Sequence, residues 1–391
     1  MHFIYPQETY RLSLVYRLLV IGLELFLHSK YIPVAPNRRI LEQDVDHMDQ
    51  AAASATQFST MLAERLVRYR DLRPCTTAFV DTRTPGRQKK ENFTIIGPGV
   101  AENPDQHVHI NIPHGFNIGG ARQPPDCINS QHSHETAEVF VIHAGQWAFY
   151  LGPDCEDGEV VLGPGDTISI PTHVFRGFKN VGDDTGYMFA VLGGDNPGHV
   201  MWAPYVFESA AEYGLILLED GSLVDTTKGE SIPDGKKAMA ATTAEDVASL
   251  KSLSAEDMAD CVVLHDELQM DGVSELMSHK LRECPIIGAA SPKEGIGAGK
   301  MAWPHGFQLR YMAIDPGAES LRYARKEEEV LLVQNGELIV EFADGKVKMG
   351  AGDVFTIPID MPHRFSNEAS EIAEVFVVRG GDTPAPPQLV D

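Results

Sequence analysis

The sequence predicts a mainly β protein built as two jelly-roll β-barrels, with helical segments before the first barrel and between the two. Three observations carry this. One block of sequence recurs later in the chain in nearly the same register. Within each copy, short apolar runs are bounded by Gly, Pro, Asn and Asp, which leaves no room for helices. The stretches outside the copies have apolar or small residues at helical spacing instead. The expected organisation is a helical N-terminal segment over 1–90, a first barrel over 91–204, a helical connector over 205–283 and a second barrel over 284–391.

The internal repeat comes first, because it fixes the equivalence of every later residue. Ile95-Ile96-Gly97 recurs as Ile286-Ile287-Gly288, Pro113-His114-Gly115-Phe116 as Pro304-His305-Gly306-Phe307, Glu138 as Glu329 and Gly145 as Gly336, all at a shift of 191. Beyond the turn holding Pro153 to Gly158 the shift becomes 187, so that Gly165-Asp166, Pro171 and Asn180 recur as Gly352-Asp353, Pro358 and Asn367. Four residues are lost in that turn, where length changes are best tolerated. Runs such as Val139-Phe140-Val141-Ile142 and Val330-Leu331-Leu332-Val333 read as strands.

Outside the copies, Asp44 to Asp71 reads as helix, with no proline until Pro74. Tyr205 to Leu281 reads as a second helical stretch, in which Thr243 before Asp246 and Ser254 before Asp257 resemble capping pairs. The apolar run Leu12 to Leu27 is interrupted by Arg17 and Glu24. It is marginal in length for a membrane span and no small-residue cleavage site follows it, so a helix packed on the body or on a partner subunit is expected rather than a signal or anchor.

Composition narrows the function. Acidic residues outnumber basic ones 56 to 32, for a net charge of -24, which opposes binding to a phosphate backbone. Five scattered cysteines fit neither a disulfide framework nor a cysteine zinc site, and point to a reducing, cytoplasmic setting. No phosphate-binding glycine loop or nucleophile elbow is present. The expected partner is a small-molecule substrate, without nucleic acid or membrane, and a homo-oligomer is compatible with the apolar N-terminal run.

The chemistry concentrates in Gln131-His132-Ser133-His134-Glu135-Thr136-Ala137-Glu138, with Gly145 following. On a strand His132 and His134 share a face. A straight strand would put Glu138 roughly 13 Å past His134, whereas metal–ligand bonds are about 2 Å, so the chain must bend if all three meet at one ion.

This pattern resembles the first motif of the cupin superfamily: a glycine, two histidines one residue apart, a glutamate four further on and a glycine after six more. The second cupin motif, a glycine, a proline, a histidine and an asparagine, is matched by Gly165, Pro171 and Asn180, with Arg176 where the family places its fourth ligand. In the second copy Tyr323 and Arg325 replace both first-motif histidines, while Glu329 and His363 remain. The resemblance therefore implies two cupin-type barrels, a metal on His132, His134 and Glu138 in the first, and a second barrel whose Tyr323, Arg325, Glu329 and His363 form a hydrogen-bonded filling or a small polar pocket.

Arginine stays protonated and cannot ligate a cation, so the first barrel offers two histidines and one carboxylate with open positions. That set suits iron(II) foremost, with zinc, manganese or nickel as other candidates. Arg176 and Glu138 are the candidate catalytic residues, Arg176 as a fixed cation favouring an anionic substrate or intermediate, or else as a buried ion pair with Glu138 or another acid in a barrel without metal. His173 joins the site only if the turn after Pro171 is distorted. His114 and His305 recur in both copies and read as structural, His107 and His109 as surface residues, and Cys127 as a small buried residue. The chain looks most like the quercetinase-like two-barrel cupins, which implies an iron(II)-type dioxygenase for a small aromatic or enol substrate. The other readings are a metal-dependent isomerase or lyase, and a non-catalytic binding or storage protein.

Overall fold

The computed structural model describes residues 53–268 and 281–390. The chain divides into two units, 1–56 and 57–391. The expectation for Leu12 to Leu27 lies outside the described residues. Among those described, no helix is long and apolar enough to cross a membrane.

Residues 57–391 hold two β-barrels. The first is made of a seven-stranded and a five-stranded sheet. Its larger sheet has at its centre Glu138–Ala144, Gly186–Gly193 and Phe116–Gln123, and its smaller sheet runs through Ile128–Ser133, Arg176–Asn180 and Trp147–Leu151. The second barrel repeats the plan with a six-stranded sheet around Glu329–Asn335, Ala373–Gly380 and Phe307–Ile314, faced by the three strands Lys346–Gly350, Glu337–Glu341 and Arg364–Ser366.

The continuous apolar runs have a physical reason: both faces of the larger sheets are buried. Phe140 and Ile142 point into the first barrel with Trp147, Phe149 and Phe178. Val139 and Val141 point the other way, into a core shared with Phe307, Leu309, Tyr311 and Phe376 of the second barrel. The two large sheets thus pack on one another, and the small sheets lie outermost.

Each barrel also lends an edge strand to the other. Leu66–Val67, which precedes the first barrel, pairs with Phe355 and Val354 of the second. Val262–Val263, which precedes the second, pairs with Ile168 and Thr167 of the first. The repeat partners Asp353 and Asp166 secure these strands by accepting from Tyr69 N at 3.0 Å and His265 N at 2.8 Å. Across the same interface His114 Nε2 lies 2.6 Å from Thr356 Oγ1, and His305 Nε2 lies 2.8 Å from Ser169 Oγ. These reciprocal bonds explain why both histidines recur although the ligand residues do not.

Two helical expectations need correction. The first helix ends at residue 65, because Leu66 and Val67 gain more from closing a sheet edge than from continuing an exposed helix. The stretch from Tyr205 to Leu281 is helical only in pieces, chiefly Pro204–Glu212 and Ala244–Ala248, with a small hairpin of Leu215–Leu217 and Leu223–Asp225 between them. Both capping pairs form: Thr243 and Asp246 bond each other's backbone N–H, and Ser254 and Asp257 do the same.

Candidate metal centre

Three elements of the first barrel bring the motif together. His132 lies near the end of the strand Ile128–Ser133, directly opposite Arg176 on the neighbouring strand. His134 follows that strand, the chain turns through residues 135–137, and Glu138 opens the next strand in register with Ile170 and Leu192. That turn supplies the required bend. One ligand atom from each of His132, His134 and Glu138 lies within 4.8 Å of the others, and among the described residues no other group of three His, Cys, Asp or Glu side chains does so.

The protonation states suit a cation. His132 Nδ1 lies 2.7 Å from Ser130 O, which can only accept, so the proton is on Nδ1 and Nε2 keeps its lone pair. Burial, reinforced by the Arg176 charge, holds both imidazoles well below the usual histidine range, so they are neutral near pH 7. Burial also pushes the Glu138 carboxyl up, against the opposing pull of Arg176. His134 Nε2 lies 3.7 Å from Glu138 Oε2. Two neutral imidazoles and one carboxylate converging in this way fit the donor set of a divalent metal site with open positions.

Arg176 is completely enclosed. Its Nη2 donates to Glu138 Oε2 and its Nη1 to His132 O at 3.2 Å, while Nε has no partner. Of the two placements open to it, the structure shows the ion pair with Glu138.

Above the triad is a cavity of about 70 Å³, lined by Phe79, Phe93, Phe140, Phe178, Val200, Leu192 and Trp202, with Asn92, Thr94 and Asn129 among its polar residues. Among the lining residues Glu138 is the only Asp, Glu, Lys or Arg, so Arg176 does not reach the wall. Trp202 stands opposite His132 in register, with ring centroids 5.3 Å apart, and its Nε1 donates to buried Glu102 Oε1 at 2.6 Å.

The equivalent volume in the second barrel is filled. Arg310 replaces Gly119, Met312 replaces Ala121, Glu283 replaces Asn92 and Arg379 replaces Leu192. Arg310 reaches Glu294 at 2.7 Å and Glu283 at 3.2 Å. Arg325 reaches Glu294 at 3.1 Å and Glu329 at 2.9 Å, and Glu329 also takes His363 Nε2 at 3.1 Å and Tyr323 Oη at 3.2 Å. All these side chains are buried. Tyr323, Arg325, Glu329 and His363 are therefore part of a closed hydrogen-bonded filling.

The remaining candidates fall outside the cavity. His173 does sit in a distorted turn, with φ of +63°, yet its side chain is exposed and its N–H donates to His134 O at 3.0 Å. His109 is tied to Thr94 O at 2.7 Å and packs against His107. Cys127 is buried and its thiol is pushed up by burial. Sequence reasoning missed Trp202, Glu102 and the small residues Gly119 and Ala121. The last two were findable, since the repeat shift of 191 sets them against Arg310 and Met312.

The cupin domain model matches twice, over residues 121–192 and 310–379. No curated protein matches the sequence. Among solved structures, the formate complex of oxalate decarboxylase from Lactobacillus farciminis is 13% identical and aligns with a TM-score of 0.51, covering 83% of this chain and 88% of that one. A variant of Bacillus subtilis oxalate decarboxylase is 12% identical at a TM-score of 0.49, covering 84% of this chain and 80% of that one. AerE from Microcystis aeruginosa is 11% identical at 0.44, covering 81% of this chain and 98% of that one. At these identities the likeness is one of fold. The chain thus carries two matched cupin domains, each in its own barrel and packed sheet against sheet, in the manner of a bicupin fold.

Proposed function

We propose that the first barrel is a metal-dependent catalytic site of the iron(II) dioxygenase type, acting on a small, uncharged aromatic or enol substrate. The observation that carries this reading is the convergence of the buried His132, His134 and Glu138 beside a small, mostly apolar cavity that they help to line. A bound divalent ion supplies Lewis acidity there and, as iron(II), the redox chemistry that dioxygen requires. The chain's own residues do the rest. His132 is held in one tautomer by Ser130 and braced by Trp202. Phe140, Phe178 and Trp202 offer flat apolar surface to a planar substrate, and Asn92 Oδ1, buried without a partner, offers an acceptor for a hydroxyl or amine. Burial of the three side chains strengthens the polar contacts they make.

Size and charge narrow the substrate. A cavity of about 70 Å³ is well below the roughly 300–1,000 Å³ of pockets for drug-sized ligands. Arg176 is not among the residues lining the cavity, so the walls offer an anion no arginine or lysine. An uncharged molecule of a few heavy atoms fits better than a dicarboxylate or a flavonoid.

The small volume also favours a second reading, a metal-dependent lyase or isomerase on the same triad, because it leaves little space for dioxygen beside a substrate. An oxygen electrode separates the two. The iron(II)-loaded protein is screened against small enols and catechols, with the His134→Ala variant as control. Dioxygen consumed in step with substrate, and abolished in His134→Ala, is the expected result. Turnover that proceeds equally under argon would overturn the dioxygenase and leave the lyase.

A further inference from the structure

Arg176 and a cation at the His132, His134 and Glu138 site are drawn to the same atom. The carboxylate oxygen that accepts from Arg176 Nη2 is Glu138 Oε2, and this is also the oxygen 3.7 Å from His134 Nε2. A guanidinium is always protonated, so besides occupying that oxygen it repels an entering dication.

The second barrel shows what a fully secured motif glutamate looks like. Glu329 is held from three directions, by Tyr323, Arg325 and His363, and Arg325 is itself anchored on Glu294. There the arginine comes from the position of the second histidine, whereas in the first barrel it comes from the strand paired with that of His132, at the position equivalent to His363. Both barrels thus keep one arginine against the motif glutamate, but only in the first are both histidines left facing it. Arg176 is also the less anchored of the two: it holds one carboxylate and one carbonyl, and its Nε has no partner.

We propose that Arg176 is a built-in competitor for the metal: it neutralises Glu138 while the site is empty and must yield Oε2 when an ion enters, so this residue sets how tightly and how reversibly the metal is held. The inference rests on the metal-centre reading above. Its physical logic is that a buried carboxylate left without a partner is strongly destabilising, so the empty barrel needs a resident cation, and that cation then weakens the site for any other.

The test is zinc(II) affinity of the full-length, metal-stripped protein, measured by competition with a chromogenic chelator. Arg176→Gln keeps hydrogen-bond donors for Glu138 but removes the charge, and Arg176→His adds an imidazole instead. Each is expected to bind zinc at least tenfold more tightly than the unaltered chain, within the 10–100-fold range by which neighbours of metal ligands shift affinity. Circular dichroism establishes which variants fold, and either one alone suffices. A folded variant that binds zinc no more tightly than the unaltered chain overturns the competition. Absence of zinc binding in the unaltered chain and in both variants overturns the underlying metal centre instead.

Discussion

The two barrels of this chain share a backbone plan and an aligned glutamate, yet they use their interiors in opposite ways. In the first, Gly119 and Ala121 leave open the space that Arg310 and Met312 fill in the second, and Asn92 and Leu192 stand where the second barrel has Glu283 and Arg379. One interior retains a cavity over two neutral histidines and a carboxylate. The other is a buried network of three arginines and their glutamates. The second interior, without the two motif histidines, is not apolar: it has the aligned glutamate and completes the charge balance around it. The difference separates an interior that leaves space beside its motif residues from one filled by its own side chains.

The comparison can be broken most sharply by unpairing the second barrel. Arg325→Ala strips Glu329 and Glu294 of a shared partner, and removal of one member of a buried pair costs about 3–5 kcal/mol. His134→Ala in the first barrel breaks no such network and is expected to cost about 1 kcal/mol. Denaturant midpoints of the two variants measure the gap, and equal losses would show that the interiors are not organised differently.

A smaller effect is expected from copying one barrel's filling into the other. Ala121→Met places the second barrel's residue in the cavity wall at a destabilisation of about 1–3 kcal/mol. Xenon, which enters dry apolar cavities, is expected to bind the unaltered chain and not this variant. Binding to both would mean the cavity is not where the small residues place it.

The pH response sharpens the contrast further. Burial pushes Glu329 up, but Arg325, His363 and Arg379 overcome it and hold it at about 2. Its folded value is below the unfolded one, so its stabilisation is present above about pH 4.5 and is lost as pH falls toward 2. In the first barrel burial pushes Glu102 up to about 8, despite its bonds from Trp202 and Val80. That folded value is above the unfolded one, so stability is greatest below about pH 4.5 and declines as pH rises to about 8. Hydrogen exchange is expected to show Glu329–Asn335 loosening on the acid side and Ile128–Ser133, next to Trp202, loosening on the alkaline side. A common pH profile for both strands would contradict this.

Much of this was legible in the sequence, because a repeat held in register converts a single-chain problem into a comparison. The two β-rich blocks, the departures at Arg176, Tyr323 and Arg325, and the structural character of His114 and His305 all follow from the shifts of 191 and 187. What was not legible depends on contacts remote in sequence. Leu66 and Val67 read as the end of a helix because nothing local records that Val354 and Phe355 need an edge partner. Trp202 lies 70 positions from His132, and only the fold sets their rings together. The choice of Arg176 between the cavity and Glu138 is a matter of rotamer, which spacing cannot encode.

The central claim is that one barrel holds an ion and the other holds only itself. Elemental analysis of the protein purified without added metal tests it most directly. One equivalent of a divalent transition metal per chain, absent from His134→Ala, is the expected result. A metal-free protein, two equivalents per chain, or metal that survives His134→Ala would contradict it.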